Sequence, residues 1–291
     1  MKRIFKILGI LSGIILAQHF INQACFLTAR FKSRKKSNSG SIDCFYHRRF
    51  GTIRYRVKGK GEPLLLIHGI YPGADMTQWR NIDPIIFQSY KVYALDLFGF
   101  GRSDKPNISY SAYLYIRLIN DFIKDVIKKP VITAASDYSA AYTVMGYIFD
   151  PHLYSKLILL SPAGISKGYT LPTLRDFFFK ILLEFPVLGT SAYLYLLRHM
   201  KDSQLPRRIW DTQSVASNMP ETLSATAYSG GAKSKYPICA LFSKYLNVSI
   251  KDKLNRIAIP MLILSDENNG LENLASSPNT ADFLGVKRDT R

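Results

Sequence analysis

At 291 residues, 47% of them apolar and 21% charged, the chain is long enough for one large domain with a filled core, which excludes a disordered or low-complexity polymer. The formal charge of +18 is uneven: residues 1–60 carry +13 with Asp43 as their single acid, and the other 231 carry +5. A nucleic-acid binder needs a basic face on its folded domain, whereas this excess flanks an apolar segment, so the expected partner is anionic lipid and no nucleic acid. Cys25, Cys44 and Cys239 form neither a CxxC pair nor a disulfide framework. No metal or cofactor is expected.

The chain opens with Lys2, Arg3 and Lys6, followed by an apolar run from Ile7 to Ala17. Eleven residues suit a signal peptide, but Phe20, Ile21 and Cys25–Leu27 extend the run toward the roughly 20 needed to span a bilayer. With no crisp small-x-small cleavage site, residues 1–28 are expected to form an uncleaved membrane anchor, a cleaved signal being the alternative. Arg30, Lys32, Arg34, Lys35 and Lys36 lean the following domain toward the cytoplasm and leave its side of the membrane open. Residues 29–41 read as a solvated basic linker.

From about Ile42 the pattern alternates. "CFYHRR" and "TIRYRVKG" look like paired edge strands, and "PLLLIHG" is a short apolar run ending in turn residues, the mark of a buried parallel strand. "KVYALDLFGFG", "PVITAAS", "SKLILLSPAG" and "IPMLILSDENN" repeat that shape, with helical stretches such as 111–128 and 140–149 between them. The result is an α/β chain with a doubly wound, mostly parallel sheet over residues 42–165. Residues 166–255 interrupt the alternation with apolar, aromatic helices. They read as a helical cap over a site mouth, or as a further core subdomain. Residues 256–291 return to the core and are expected to be an incomplete C-terminal part of it.

Three segments in order, "LLLIHGIYPGADMTQW", "VYALDLFGFGRSDKP" and "PVITAASDYSAAYTVMGY", resemble α/β-hydrolases. The likeness runs from roughly Ile53 to Asn269, and the middle segment, with Asp96, Gly99, Gly101, Arg102, Ser103 and Asp104, is the most specific. It implies a nucleophile on the sharp turn between the fifth strand and its helix. It also implies an oxyanion hole from the backbone N–H groups of Ile70 and Tyr138. His68 and Gly69 end the strand before that hole. His68 is expected to brace the loop; Trp79 either frames the pocket or simply packs.

The turn tolerates only small residues two before and two after its apex. Ser136 at the apex would set Tyr138 in a tight place and Ser139 would set Asp137 there, whereas Asp137 has Ala135 and Ser139 as flanks. An apical aspartate resembles haloalkane dehalogenases and epoxide hydrolases, in which the carboxylate attacks carbon and a histidine-activated water cleaves the resulting ester. The family register for the acid falls on Asn269, with Glu267 as a possible shifted acid. All five histidines, His19, His47, His68, His152 and His199, precede the place where the family carries its base. The expected activity is hydrolysis of a small, fairly apolar ester, epoxide or halide. The rival expectations are a non-catalytic apolar-ligand binder and a hydrolase truncated before its histidine.

Overall fold

The computed structural model of the protein describes residues 2–34, 43–80, 85–165, 170–200, 226–228 and 230–264. Strands β1 (Asp43–Arg48) and β2 (Gly51–Lys58) form an antiparallel hairpin, and β2 runs antiparallel to β4 (Tyr90–Leu95). Strands β3 (Glu62–Ile67), β5 (Val131–Ser136), β6 (Tyr154–Leu160) and β7 (Met261–Leu264) complete a seven-stranded sheet in the order β1-β2-β4-β3-β5-β6-β7. Every pairing from β4 to β7 is parallel.

The continuous apolar runs of these strands are explained by burial on both faces. Leu65, Ile67, Leu95 and Ala135 belong to one apolar layer, together with helices α3 (Ala112–Phe122) and α4 (Asp137–Phe149). Leu64, Leu66, Val92, Ile132 and Ala134 alternate onto the other, which Trp79 and the short helix α2 (Ile86–Ser89) cover. Ser111 caps α3, its Oγ accepting the Leu114 N–H at 3.3 Å. Asn120 then locks α3 to α4 and β6: its Nδ2 donates to the Gly146 carbonyl at 3.0 Å, and its Oδ1 accepts the Tyr154 hydroxyl at 2.5 Å.

Between β6 and β7 the chain inserts helices α5 (Leu174–Glu184), α6 (Leu188–Met200) and α7 (Lys235–Phe242). A capping box of Thr173 and Asp176 starts α5. The α5 and α6 axes meet at 89°. Lys235, buried in the insertion, holds this corner by donating to the carbonyls of Glu184 (2.9 Å) and Phe185 (2.8 Å) and to Thr190 Oγ1 (3.2 Å). Its cation meets the negative end of α5, where unpaired carbonyls need a donor.

Helix α1 (Lys2–Arg34) continues six residues past the expected boundary at residue 28, into the segment read as linker. Residues 29–34, "ARFKSR", hold no glycine or proline, and Arg and Lys at a helix C-terminus suit its dipole. The apolar part is exposed from Ile4 to Leu16, and Lys2–Thr28 is long and apolar enough to cross a bilayer. Further along, α1 docks on the insertion. Gln18 Nε2 and Asn22 Nδ2 each donate to Ser191 Oγ at 3.1 Å, Asn22 also reaches the Val187 carbonyl at 3.3 Å, and buried Phe26 meets the ring of Tyr228 edge-on.

Candidate active site

Asp137 stands where β5 turns into α4, with φ +54, a left-handed value that costs a non-glycine residue energy and persists only where the surroundings enforce it. The enforcement is visible. Ala135 and Ser139 are fully buried, and Ser139 Oγ donates to the His68 carbonyl at 2.6 Å, pinning the first turn of α4 to the end of β3. A Cβ on Gly69 would sit 3.1 Å from Ser136 Oγ and 3.3 Å from Asp137 Cβ, tight contacts that a larger residue would have to relieve by shifting its neighbours.

That approach brings the Ile70 N–H to Asp137 Oδ2 at 3.3 Å, and the Tyr138 N–H also bonds the carboxylate. The carboxylate therefore occupies the space that these two donors enclose. Burial pushes its pKa up to about 6, against the lowering effect of the Tyr138 and Ile70 N–H groups.

Gln78 is a part of the site that sequence reasoning missed. Its Oε1 accepts the Gly69 N–H at 2.9 Å and the Tyr71 hydroxyl at 3.4 Å, while its Nε2 donates to Ser136 Oγ at 2.8 Å. One amide thus ties the donor loop to the residue before the apex. Replacing it by Leu should cost about 1–3 kcal/mol through the orphaned Gly69 N–H, read as a lower urea midpoint; an unchanged midpoint would show that water replaces the amide. Nothing in the sequence singled Gln78 out from its neighbours.

His68 is fully buried with both ring nitrogens engaged. Leu97 N–H donates to Nε2 at 3.1 Å, so Nε2 is unprotonated; Nδ1 then carries the proton and donates to the Gly69 carbonyl at 2.7 Å. Burial lowers its pKa to about 4, so the ring stays neutral and braces the ends of β3 and β4. Trp79, expected either to frame the pocket or to pack, lies against the second apolar layer of the sheet. Among the described residues no histidine side chain hydrogen-bonds to Asp137: His47 meets Thr52 and His199 meets Tyr195. Glu267 and Asn269 lie outside the described residues.

The loop after β4 is built around buried Asp96, which accepts the Met76 N–H (2.7 Å) and the Arg102 N–H (2.8 Å). Burial and the nearby Asp75 raise its pKa to about 7, against those two donors. Gly101 has φ +49, and a Cβ there would lie 2.1 Å from the Asp96 carboxyl carbon, which explains the glycine in "FGFGRSD". Lys105 closes this loop, donating to the Gly101 carbonyl at 2.8 Å beside a cavity with room for about one water molecule. On the other side, the Tyr138 hydroxyl donates to Asn247 Oδ1 at 3.3 Å, and Asn247 Nδ2 reaches the Thr170 carbonyl at 2.8 Å, linking the elbow to the start of the insertion.

A sequence profile described as the alpha/beta hydrolase family matches residues 64–280, three quarters of the chain and every strand from β3 onward. The chain belongs to the alpha/beta hydrolase family. It is 34% identical over 133 residues to the 2-hydroxy-6-oxo-6-(2'-aminophenyl)hexa-2,4-dienoic acid hydrolase of Metapseudomonas resinovorans, covering 45% of this chain and 46% of that one. It is 31% identical over 91 residues to a haloalkane dehalogenase of Mesorhizobium japonicum, covering 31% and 29%. The chain thus spans less than half the length of these curated relatives. The crystal structure of a membrane phospholipase A, a bacterial virulence factor, shares the alpha/beta hydrolase fold at TM-score 0.56 and 21% identity, over 91% of this chain and 82% of that one.

Proposed function

We propose that this chain is a membrane-anchored hydrolase whose Asp137 attacks carbon in a small, fairly apolar substrate. The observation that carries the reading is the Ile70 N–H on Asp137 Oδ2, on an elbow with positive φ. Oδ2 accepts the Ile70 N–H, and in this reading Oδ1 is the attacking oxygen. An ester substrate would need its own carbonyl oxygen in the space between the Ile70 and Tyr138 N–H groups, and the carboxylate is already there. A halide or an epoxide has no such requirement, so the geometry favours them over an ester. Oδ1 displaces halide from an sp3 carbon, leaving an alkyl ester on Asp137 and a halide ion; with an epoxide the ring C–O bond breaks and the alkoxide takes a proton from water. Water then adds to the ester carbon, negative charge gathers on Oδ2 opposite the Ile70 N–H, and the alcohol leaves with one of the water protons while the other passes to solvent as the carboxylate reforms.

The first step needs no base and the second is slow without one, and among the described residues no histidine side chain hydrogen-bonds to Asp137. Incubation with 1-bromohexane, styrene oxide and p-nitrophenyl butyrate, followed by intact mass, separates the steps. A hexyl increment on Asp137, with one bromide released per chain, is expected. Absence of both adduct and bromide would sink the attack on carbon. In that event a capped binder of apolar ligands remains, favoured by the fully engaged His68.

Helix α1 supplies the anchor in this reading. Ile7, Leu11 and Ile14 are exposed, so Glu at all three should leave the fold intact. Each charge at the centre of a spanning helix costs about 2.5–3.5 kcal/mol. The triple variant should move from the pellet to the supernatant in carbonate extraction, and unchanged pelleting would refute the anchor.

A further inference from the structure

We infer that the apolar face of α5 and its corner with α6 lie in the surface of the bilayer that α1 enters, so that the insertion as well as α1 holds the protein to lipid. This rests on the anchor reading above and extends it to a second element. Leu174, Phe178, Leu182 and Phe185 recur at helical spacing and are 78%, 67%, 55% and 54% exposed. Leu171 before them and Leu188 after them are exposed too, so the stripe runs the length of α5 and round the corner. A contiguous apolar strip of this extent marks an interaction site.

Its occupant follows from α1. Gln18 and Asn22 dock α1 on Ser191 in the first turn of α6, Asn22 also reaches Val187 at the corner, and the exposed apolar residues from Ile4 to Leu16 lie on the N-terminal side of that contact. Phe20 and Ile21 stand within one helical turn, about 5 Å, of Asn22. If they are in lipid, Phe185 and Leu188 at the same corner are at the level of the bilayer surface. The charges agree. Both acids of α5 are neutralised, Asp176 by Lys244 at 3.2 Å and Glu184 by Lys180 at 2.7 Å, while exposed Arg175 stands beside the stripe. Anionic headgroups would meet no unpaired carboxylate on this helix.

The test uses the full chain in vesicles of phosphatidylcholine with or without brominated acyl chains, and three separate tryptophan reporters, Phe178→Trp, Ile10→Trp and Tyr113→Trp, each read against the parent protein. A helix face buried about 5–10 Å into the headgroup boundary brings its ring to the bromines, so Phe178→Trp should be quenched about two-fold or more. Tyr113→Trp, exposed on α3 in the core, should not be. Quenching of Ile10→Trp without Phe178→Trp overturns the inference and leaves the anchor standing. Quenching of neither overturns both. Shielding of Phe178→Trp from acrylamide without bromine quenching means that protein covers the stripe, and also overturns it.

Discussion

Asp137→Asn is expected to abolish the hexyl adduct from 1-bromohexane, slowing its formation by about 10⁴-fold or more, the scale on which removal of a covalent nucleophile acts. The amide keeps a carbonyl oxygen for the Ile70 and Tyr138 N–H groups, so the turn should survive while the attacking oxygen is lost. With the native carboxylate the rate should depend on pH in one sense. On the proposed mechanism the ionised form attacks, and burial pushes its pKa up to about 6, so adduct formation should rise about ten-fold per pH unit below 6 and level off above it. A flat profile between pH 5 and 8 would place the attack on another group.

The same residue makes a stability prediction of opposite sign. A folded pKa raised above the ordinary 3.8 means that the protonated form is favoured in the fold. This contribution is fully present below pH 3.8 and is lost as pH rises through 6. The ionised carboxylate is thus a burden at pH 8, and Asp137→Asn should stabilise the protein there by about 1–3 kcal/mol, with the gain vanishing toward pH 4. Thermal melts at the two pH values read the difference directly.

Asp43→Asn should produce the largest loss of stability from a residue away from the elbow. Asp43 bridges Arg54 and Arg56 across the β1–β2 hairpin, and the Arg54 side chain is almost wholly buried. Burial raises the Asp43 pKa, but hydrogen bonds and charge from Arg54 and Arg56 outweigh it and hold the carboxyl below 3.8. The pair therefore contributes its stability above pH 3.8 and loses it as pH falls through the folded pKa. Removing the charge strands Arg54 in the interior, at a cost of about 2–4 kcal/mol once the solvent access that Asp43 retains is allowed for. Arg54 also reaches the loop after β4: its N–H donates to Ser103 Oγ at 2.8 Å and its carbonyl accepts the Asp96 N–H at 2.9 Å. A fall in urea midpoint accompanied by faster amide exchange at Asp96 and Ser103 is the expected signature. An unchanged midpoint would mean that Arg54 finds water when its partner is gone.

Much of this architecture was legible in the amino-acid pattern, for a physical reason. Parallel strands buried on both faces need continuous apolar runs, and "PLLLI" or "VITAAS" can satisfy that in few other ways. The elbow was legible because its crowding forbids large flanks. What stayed hidden depends on where loops and helices land in space. A run such as "LLL" shows that both faces are covered but not by what, so Trp79 could not be assigned to a layer. Gln78 looks like any loop amide until the folded loop sets it between Gly69 and Ser136. Gln18 and Asn22 are polar interruptions of the apolar segment, and in the fold they are the groups that bind α1 to Ser191. Residues 29–34 read as linker because their charge suggested solvent, yet Lys and Arg are sound helix formers.

The carboxylate lodged between the Ile70 and Tyr138 N–H groups has a practical corollary. Fluorophosphonates, boronic acids and similar electrophiles report on alpha/beta hydrolases by bonding a hydroxyl nucleophile and settling an anionic oxygen among free backbone donors. In this protein the Ile70 N–H already holds an oxygen of the chain itself, and Asp137 at the apex carries no hydroxyl. On the proposed attack by Asp137, activity-based profiling of serine hydrolases should pass over this protein, and an alkyl halide carrying a reporter tag should label it.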